Sequence, residues 1–441
     1  MGLVHVWEDE RDKPNIQITH QDRRSPHVLH GYRNDDPKTK VVRVGIDIPR
    51  PQNYIEIRQG NKVYEQEAHS PVRNFYARLL CQIGGVSQLI SAGFTIRKQD
   101  NTLDTGDYIP NDDYASSNVE LAGNHGFYAY TASDTFGIVL GTGNTAWDLD
   151  NYIPEALIQQ GVTAGKLVYS ATPSPIISYT DGVWTVIGRR VFDNFNADAN
   201  TITVKEVCQF IPLYGTGSTE LFVYLDERTV LVTPKDIPYK SGAVFTYTRA
   251  LTVPALGVLS SNGLALLVAQ AFCVNNYDSA DVFGSGYRTM KTIDGTIFSG
   301  LYQIKRPTSA TGSIIYNGAA GLLTKGCVAG YGTTAVADTD YVLDDEFAHG
   351  SLENQLGYSA QDTPSAVYDA PSKTFTVTQS RTLTNNYAGN QSITEIGIVG
   401  GYAQSATVSG FLMSRTVLGS AVVLAQNESI SIIYDFTMTH P

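Results

Sequence analysis

Between Val41 and Ile48 apolar and polar positions alternate, and Pro49 and Pro51 end the pattern. A period of two predicts a half-buried β-strand. Tyr54–Ile57 and Lys62–Glu65 flank Gly60-Asn61, which reads as a β-hairpin with a Gly-first turn. The period then changes. Val72, Phe75, Tyr76, Leu79 and Ile83 recur at three and four residues, with Ser70 as N-cap, Pro71 in the first helical position and Gly84-Gly85 as the stop. This helix is expected to cover one face or end of a sheet with its aromatics in the core. Residues 97–134 are polar and rich in Gly, Asp and Asn, as in a long loop. Strands are expected near 136–140, 152–158, 166–171, 183–192, 201–211, 219–225, 229–233 and 243–252. Short strands separated by turn signals predict an antiparallel sandwich of jelly-roll or Greek-key type.

The pattern is written twice. GIVLGTGNTAWDLDNY (137–152) and GCVAGYGTTAVADTDY (326–341) align at a constant offset of 189 residues, matching Gly137 with Gly326, Gly141 with Gly330, Gly143 with Gly332 and Tyr152 with Tyr341. Later landmarks agree: Tyr169 with Tyr358, Arg190 with Arg381, Asn194 with Asn385, Glu206 with Glu395, Arg228 with Arg415 and Tyr247 with Tyr434. A second helix is expected around Leu264, Leu267, Val268, Ala271 and Phe272, with Cys273 matched to Cys81. The expected fold is therefore mainly β: two tandem antiparallel β-sandwich units, each with a short preceding helix, plus an extended N-terminal arm. The expected bounds are 1–43 for the arm, 44–255 for the first repeat and 256–441 for the second. The glycines of the repeated motif are expected to supply positive φ in a tight turn.

Composition narrows the function. The net charge of −12 disfavours a non-specific nucleic-acid binder, which needs a positive field. Cys81, Cys208, Cys273 and Cys327 lie far apart within apolar runs, the pattern of buried thiols rather than of a zinc site or a disulfide framework. Gly263–Val274, the longest apolar run, is too short to span a bilayer, and the charged start MGLVHVWEDERDK does not read as a secretory signal. Residues 1–43 mix charges of both signs with His5, His20, His27 and His30. They read either as a solvated arm or as one that orders against a neighbouring subunit, and residues 1–40 are expected to serve assembly rather than folding.

Candidate chemistry is thin. Gly161–Leu167 resembles a phosphate loop, but it has three residues between the glycines and Leu167 in place of the hydroxyl residue. Asp148, Asp150, Asp338, Asp340, Asp344, Asp345 and Glu346 could gather a Ca²⁺, but they lack EF-hand spacing and also suit plain turns. Arg228 and Arg415, each in an Arg-Thr-Val-Leu segment, are expected to satisfy carbonyls or Glu206 and Glu395 within their own copies. No catalytic, metal-binding or cofactor-binding residue is assigned, and an enzyme ranks last among the readings.

GIVLGTGNTA (137–146), Arg381 with Asn385, SITEIGI (392–398), SRTVL (414–418) and the terminal SISIIYDFTMT (429–439) together resemble a family of tailed-bacteriophage virion proteins. PVRNFYARLL (71–80) resembles the short helix that precedes the motif in that family. Trp147 and Cys208 depart from its small or apolar choices. The resemblance implies a structural role in the tail, neck or capsid surface, without catalytic residues or cofactors. Its implied partners are other virion proteins and copies of itself in a symmetric ring or shell. The alternative is a receptor- or carbohydrate-binding tail component that meets a host-surface glycan. The expected location is the virion, after synthesis in the host cytoplasm, with no membrane contact.

Overall fold

The computed structural model describes residues 27–33, 36–69, 71–84, 97, 101–102, 132–135, 137–171, 175–180, 183–214, 220–252, 259–260, 262–264, 267, 290–298, 316–337, 339–404 and 407–440. Strands β1 (His27–Arg33) and β2 (Asp36–Asp47) precede a hairpin of β3 (Gln52–Gln59) and β4 (Lys62–Glu67), then helix α1 (Arg73–Gly84). A first run of strands follows: β5 (Gly137–Gly141), β6 (Val168–Tyr169), β7 (Ile176–Thr180), β8 (Val183–Asp193), β9 (Ile202–Tyr214), β10 (Glu220–Ile237) and β11 (Gly242–Thr252). A ribbon of β12 (Met290–Lys291) and β13 (Ile297–Phe298) leads to the second run. This comprises β14 (Gly326–Gly330), β15 (Ala348–His349), β16 (Gln355–Gln361), β17 (Ser365–Asp369), β18 (Thr374–Thr384), β19 (Gln391–Gln404), β20 (Thr407–Leu424) and β21 (Ser429–Thr439).

The chain is mainly β, in a sandwich-type arrangement. A six-stranded sheet in the order β4-β3-β11-β8-β6, with β7 also on β8, faces a three-stranded sheet β10-β9-β5. A seven-stranded sheet β1-β2-β21-β18-β16-β15, with β17 also on β18, faces β14-β19-β20. Inward positions alternate cleanly along β8 (Trp184, Val186, Gly188, Arg190, Phe192) and β18 (Phe375, Val377, Gln379, Arg381, Leu383). That alternation fixes register, because a one-residue slip would turn every core side chain outward.

Strands β14 and β16–β21 repeat the pairings of β5–β11, with β15 extra, and two irregularities recur as well. In β10 Asp226 is the extra residue between the Leu225–Phe210 and Glu227–Gln209 pairs; in β20 Met413 is the extra residue between Leu412–Val399 and Ser414–Ile398. Each bulge frees a carbonyl for a helix start: Asp226 O accepts from Val72 N at 3.2 Å and Met413 O from Ser260 N at 2.9 Å. Asn74 and Asn262 then close the same pair of bonds, to Arg97 and to Lys291. This sets the helix offset at 188, whereas matching Cys81 with Cys273 needs 192; Cys273 lies outside the described residues. Helix α1 carries Phe75 over Arg249 of the first set at 4.6 Å and stacks Tyr76 on Phe375 of the second at 5.3 Å. Its aromatics are core, but between two units rather than over one sheet.

Several expectations need correction. The boundary expected between arm and first repeat at 43–44 falls inside β2, and β2 lies in the second unit's sheet, pairing in parallel with β21 from Thr39–Ser429 to Asp47–Thr437. Val42, Val44, Ile46 and Ile48 are all buried there. At about 1.5–3 kcal/mol per buried aliphatic side chain this is a folding contribution, not decoration. Residues 1–26, with His5 and His20, lie outside the described part. The strands expected at 219–225 and 229–233 are one long bulged strand, β10. Residues 152–158 form no strand; they lie along β5 through a bridge from Leu157 to Gly141 and hydrogen bonds from Thr142 N to Ala156 O and Ile158 N to Leu140 O.

Candidate functional site

The repeated Gly-x-Gly segments surround a buried carboxylate in both units. Glu206 Oε1 accepts from Gly143 N at 3.2 Å and Ala156 N at 3.1 Å, while Oε2 accepts from Glu155 N at 3.3 Å and Arg228 Nε at 2.6 Å. Glu395 repeats this with Gly332 N (3.2 Å), Asp345 N (3.0 Å), Asp344 N (3.4 Å) and Arg415 Nε (2.7 Å). Both glutamates are fully buried and both guanidiniums nearly so. Each arginine also reaches back to the loop, Arg228 to Thr145 O and Arg415 to Thr334 O, both at 3.2 Å.

This geometry corrects the role of the glycines. Gly137 and Gly326 have positive φ, 71° and 85°. The motif's other glycines do not; they make room. A Cβ on Gly143 would lie 2.7 Å from Glu206 Oε1, and Cβ atoms on Gly330 and Gly332 would lie 2.5 and 2.6 Å from Glu395 Oε1. Glycine is there because a carboxylate and its loop must approach within hydrogen-bonding distance of bare backbone.

The outer partners differ between units. Arg415 has two further carboxylates, Asp340 and Asp344, each at 2.8 Å. Arg228 has Glu155 at 3.7 Å and the Asn151 side chain at 3.2 Å. Glu155 instead accepts from Asn144 N (2.7 Å) and Thr145 N (2.8 Å), which hold its carboxyl below the usual range.

A second pair of arginines ties the sheets together through carbonyls. Arg190 donates to Ile138 O, Ser170 O and Ser133 O; Arg381 donates to Cys327 O, Ser359 O, Leu322 O, Lys325 O and Ala319 O. Burial lowers Arg190 to about 10. Tyr169 and Tyr358 bridge Leu140 N to Ile158 O and Ala329 N to Phe347 O, and burial pushes both phenols up. Asn194 and Asn385, just past β8 and β18, clamp the ends of β10 and β20, at Ile237 O (2.7 Å) and Leu424 O (2.9 Å).

Described members of the acidic run have other partners. Asp150 binds Arg73, Asp148 caps its own turn through Asp150 N, and Asp340 and Asp344 face Arg415. Among the described residues no group of three or more His, Cys, Asp or Glu is placed to hold a metal; Asp338 lies outside them. Gly161–Leu167 closes on itself through Gly161 N to Leu167 O and Lys166 N to Thr163 O, a plain turn with Gly165 at φ 73°. Cys208 and Cys327 are buried free thiols, and burial raises Cys327 to about 12.

Two features were missed in the sequence. The first unit buries a charged network: Arg249 reaches Asp226 (3.1 Å), Glu227 (3.4 Å), Gln209 (3.1 Å) and Asn53 (3.3 Å). Burial raises Glu227 to about 8. Its only signal was charge at inward positions of otherwise apolar strands. The other is the burial of Glu346, which the sequence placed only in an acidic run: it stands where Leu157 does in the first unit, and its Oε1 is buried without a hydrogen-bond partner among the described residues. Burial, then the nearby Glu395, raises its carboxyl to about 7.

Neither family models, nor curated proteins, nor solved structures provide a match to this chain.

Proposed function

We propose that this chain is a structural component of a tailed-bacteriophage virion, made in the host cytoplasm. It is built into the tail, neck or capsid surface through contacts with copies of itself and with other virion proteins. One observation carries the reading: the residues through which the chain resembles that family are spent on the same internal cluster twice. Gly143, Glu206 and Arg228 form it once, and Gly332, Glu395 and Arg415 form it again. A motif that walls in a buried ion pair specifies a scaffold, not a reaction, and its recurrence supports a duplicated unit. Closed assemblies of such subunits are economical to build by symmetry. The test is mass analysis of purified particles, followed by imaging of particles decorated with an antibody to this chain. Absence of the chain from washed particles would sink the proposal.

A receptor- or glycan-binding tail component is favoured at one place. The turn after Asn194 and the turn before Ser241 are hydrogen-bonded to each other, and they present Phe195 and Tyr239 at 50% and 39% exposure. Exposed aromatic faces suit sugar rings. A glycan array probed with the isolated chain tests this; no binding by the chain, or equal binding by a Phe195→Ala/Tyr239→Ala variant, removes it.

A further inference from the structure

Each unit needs a strand beside its last one. In the first unit β3 fills that place, antiparallel to β11; in the second β2 fills it, parallel to β21. β3 adjoins the unit it completes. Only Ile48, Pro49, Arg50 and Pro51 separate β2 from β3, and Ile48 N still donates to Thr437 O at 2.7 Å.

The two strands are matched to their own sites. Asn53 of β3 stands in register with Arg249 and hydrogen-bonds it within the polar network. Ile46 of β2 stands in register with Phe436, the second unit's counterpart of Arg249. Charge follows the same division. Lys40 meets Glu428 at 3.2 Å and Arg43 pairs with Asp435, whereas the corresponding first-unit positions are Ser241 and Thr248. A cationic strand with an apolar inner face therefore fits the β21 edge and not the β11 edge.

We propose that β2 is an exchangeable clasp: in the assembled state it completes the second unit of a neighbouring copy of this chain, pairing with that copy's β21 in the register seen here. Every contact that β2 makes within one chain is available between two, so exchange loses no pairing. Donor and acceptor edges are different surfaces, so copies link head to tail by strand addition. The two prolines hold the connector extended, with no helix or tight turn to fold the strand back. This deepens the assembly reading by naming the partner of one surface as a second copy, and it rests on that reading only for its setting.

Val41 and Ser431 are register partners, so Val41→Cys and Ser431→Cys place two thiols on adjacent strands at a disulfide-compatible separation. The full-length double variant, oxidised and run on a non-reducing denaturing gel, is expected to give a ladder of covalent multimers. Two differently tagged single variants, co-expressed and oxidised, are expected to give a mixed dimer well above the homodimers that each forms alone. The mixed dimer cannot arise from pairing within one chain. Closure of the double variant wholly within single chains at every protein concentration, with no mixed dimer, overturns the proposal. So does failure of the double variant to cross-link at all. Either result leaves the virion reading standing, because particle composition is measured separately.

Discussion

Replacing the buried glutamate of each cluster by glutamine should hurt the first unit more than the second. Both oxygens of Glu206 accept hydrogen bonds, three from backbone N–H groups and one from Arg228 Nε. An amide keeps one acceptor and turns a donor toward the other pair, so Glu206→Gln sets N–H against N–H inside a sealed site. It also leaves the Arg228 charge with Glu155 at 3.7 Å as its nearest carboxylate among the described residues. Removing one partner of a buried pair costs about 3–5 kcal/mol. Glu395→Gln makes the same steric change, but Arg415 keeps Asp340 and Asp344 at 2.8 Å, so its charge stays compensated. The loss there should be nearer that of one charged hydrogen bond, about 1.5–3 kcal/mol. The chain reports the two units separately. Trp147 and Trp184 belong to the first unit, Trp7 lies outside the described residues, and the second unit has no tryptophan. In urea, with a slope of about 2 kcal/mol per molar, Glu206→Gln should lower the tryptophan-emission midpoint by roughly 2 M. Glu395→Gln should leave that midpoint in place and lower only the later part of the far-ultraviolet circular dichroism transition. Equal costs, a reversed order, or a Glu206→Gln cost below about 1 kcal/mol would refute the reasoning.

Gly330→Ala should destabilise the second unit by about 1–3 kcal/mol, since its Cβ would sit 2.5 Å from Glu395 Oε1; a circular dichroism melt indistinguishable from the parent would show that space is not the constraint. Glu346→Leu should stabilise the chain at pH 8 but not at pH 4. The folded carboxyl titrates near 7, above the 4.5 of the free group, so the folded state holds the proton more tightly. Stability from this group is intact below 4.5 and lost as pH rises through 7, by up to about 3 kcal/mol, and parallel pH profiles of parent and variant would contradict this. Val44→Asp should remove structure from the second unit while tryptophan emission from the first stays native. It places an unpaired charge where the parent buries an apolar side chain, at a cost of at least about 4 kcal/mol, and a native circular dichroism spectrum would count against β2 as core.

What the sequence made legible was local. The hairpin around Gly60, helix α1 and strand β8 follow from period and punctuation, which act within a few residues. The Glu206–Arg228 and Glu395–Arg415 pairings were within reach because both members recur at matched places. The partner of β2 was not legible: its alternation announces a strand, but the edge it completes lies some 390 residues away and is chosen by register and charge that no local pattern carries. Space-making glycines were misread for a related reason. A glycine kept for positive φ and one kept to admit a side chain look alike until the neighbour is known.

The doubled framework also accounts for how the two cores can differ so much. The carboxylate cluster anchors loop, β9 and β10 at one end of the first unit, and its twin does the same with β19 and β20. With that end and the helix-docking bulge fixed, the positions between are free to change together. Arg249, Asp226, Glu227 and Gln209 in one unit are matched by Phe436, Met413, Ser414 and Ile398 in the other. The helix start changes with them. Phe75 lays its ring over Arg249, whereas the corresponding residue is Gly263, where an added Cβ would run into the Met413 carbonyl. A polar core thus goes with an aromatic lid, and an apolar core with a helix pressed close. Changing one member alone strands a charge or opens a gap, so these residues are expected to tolerate exchange only as a set.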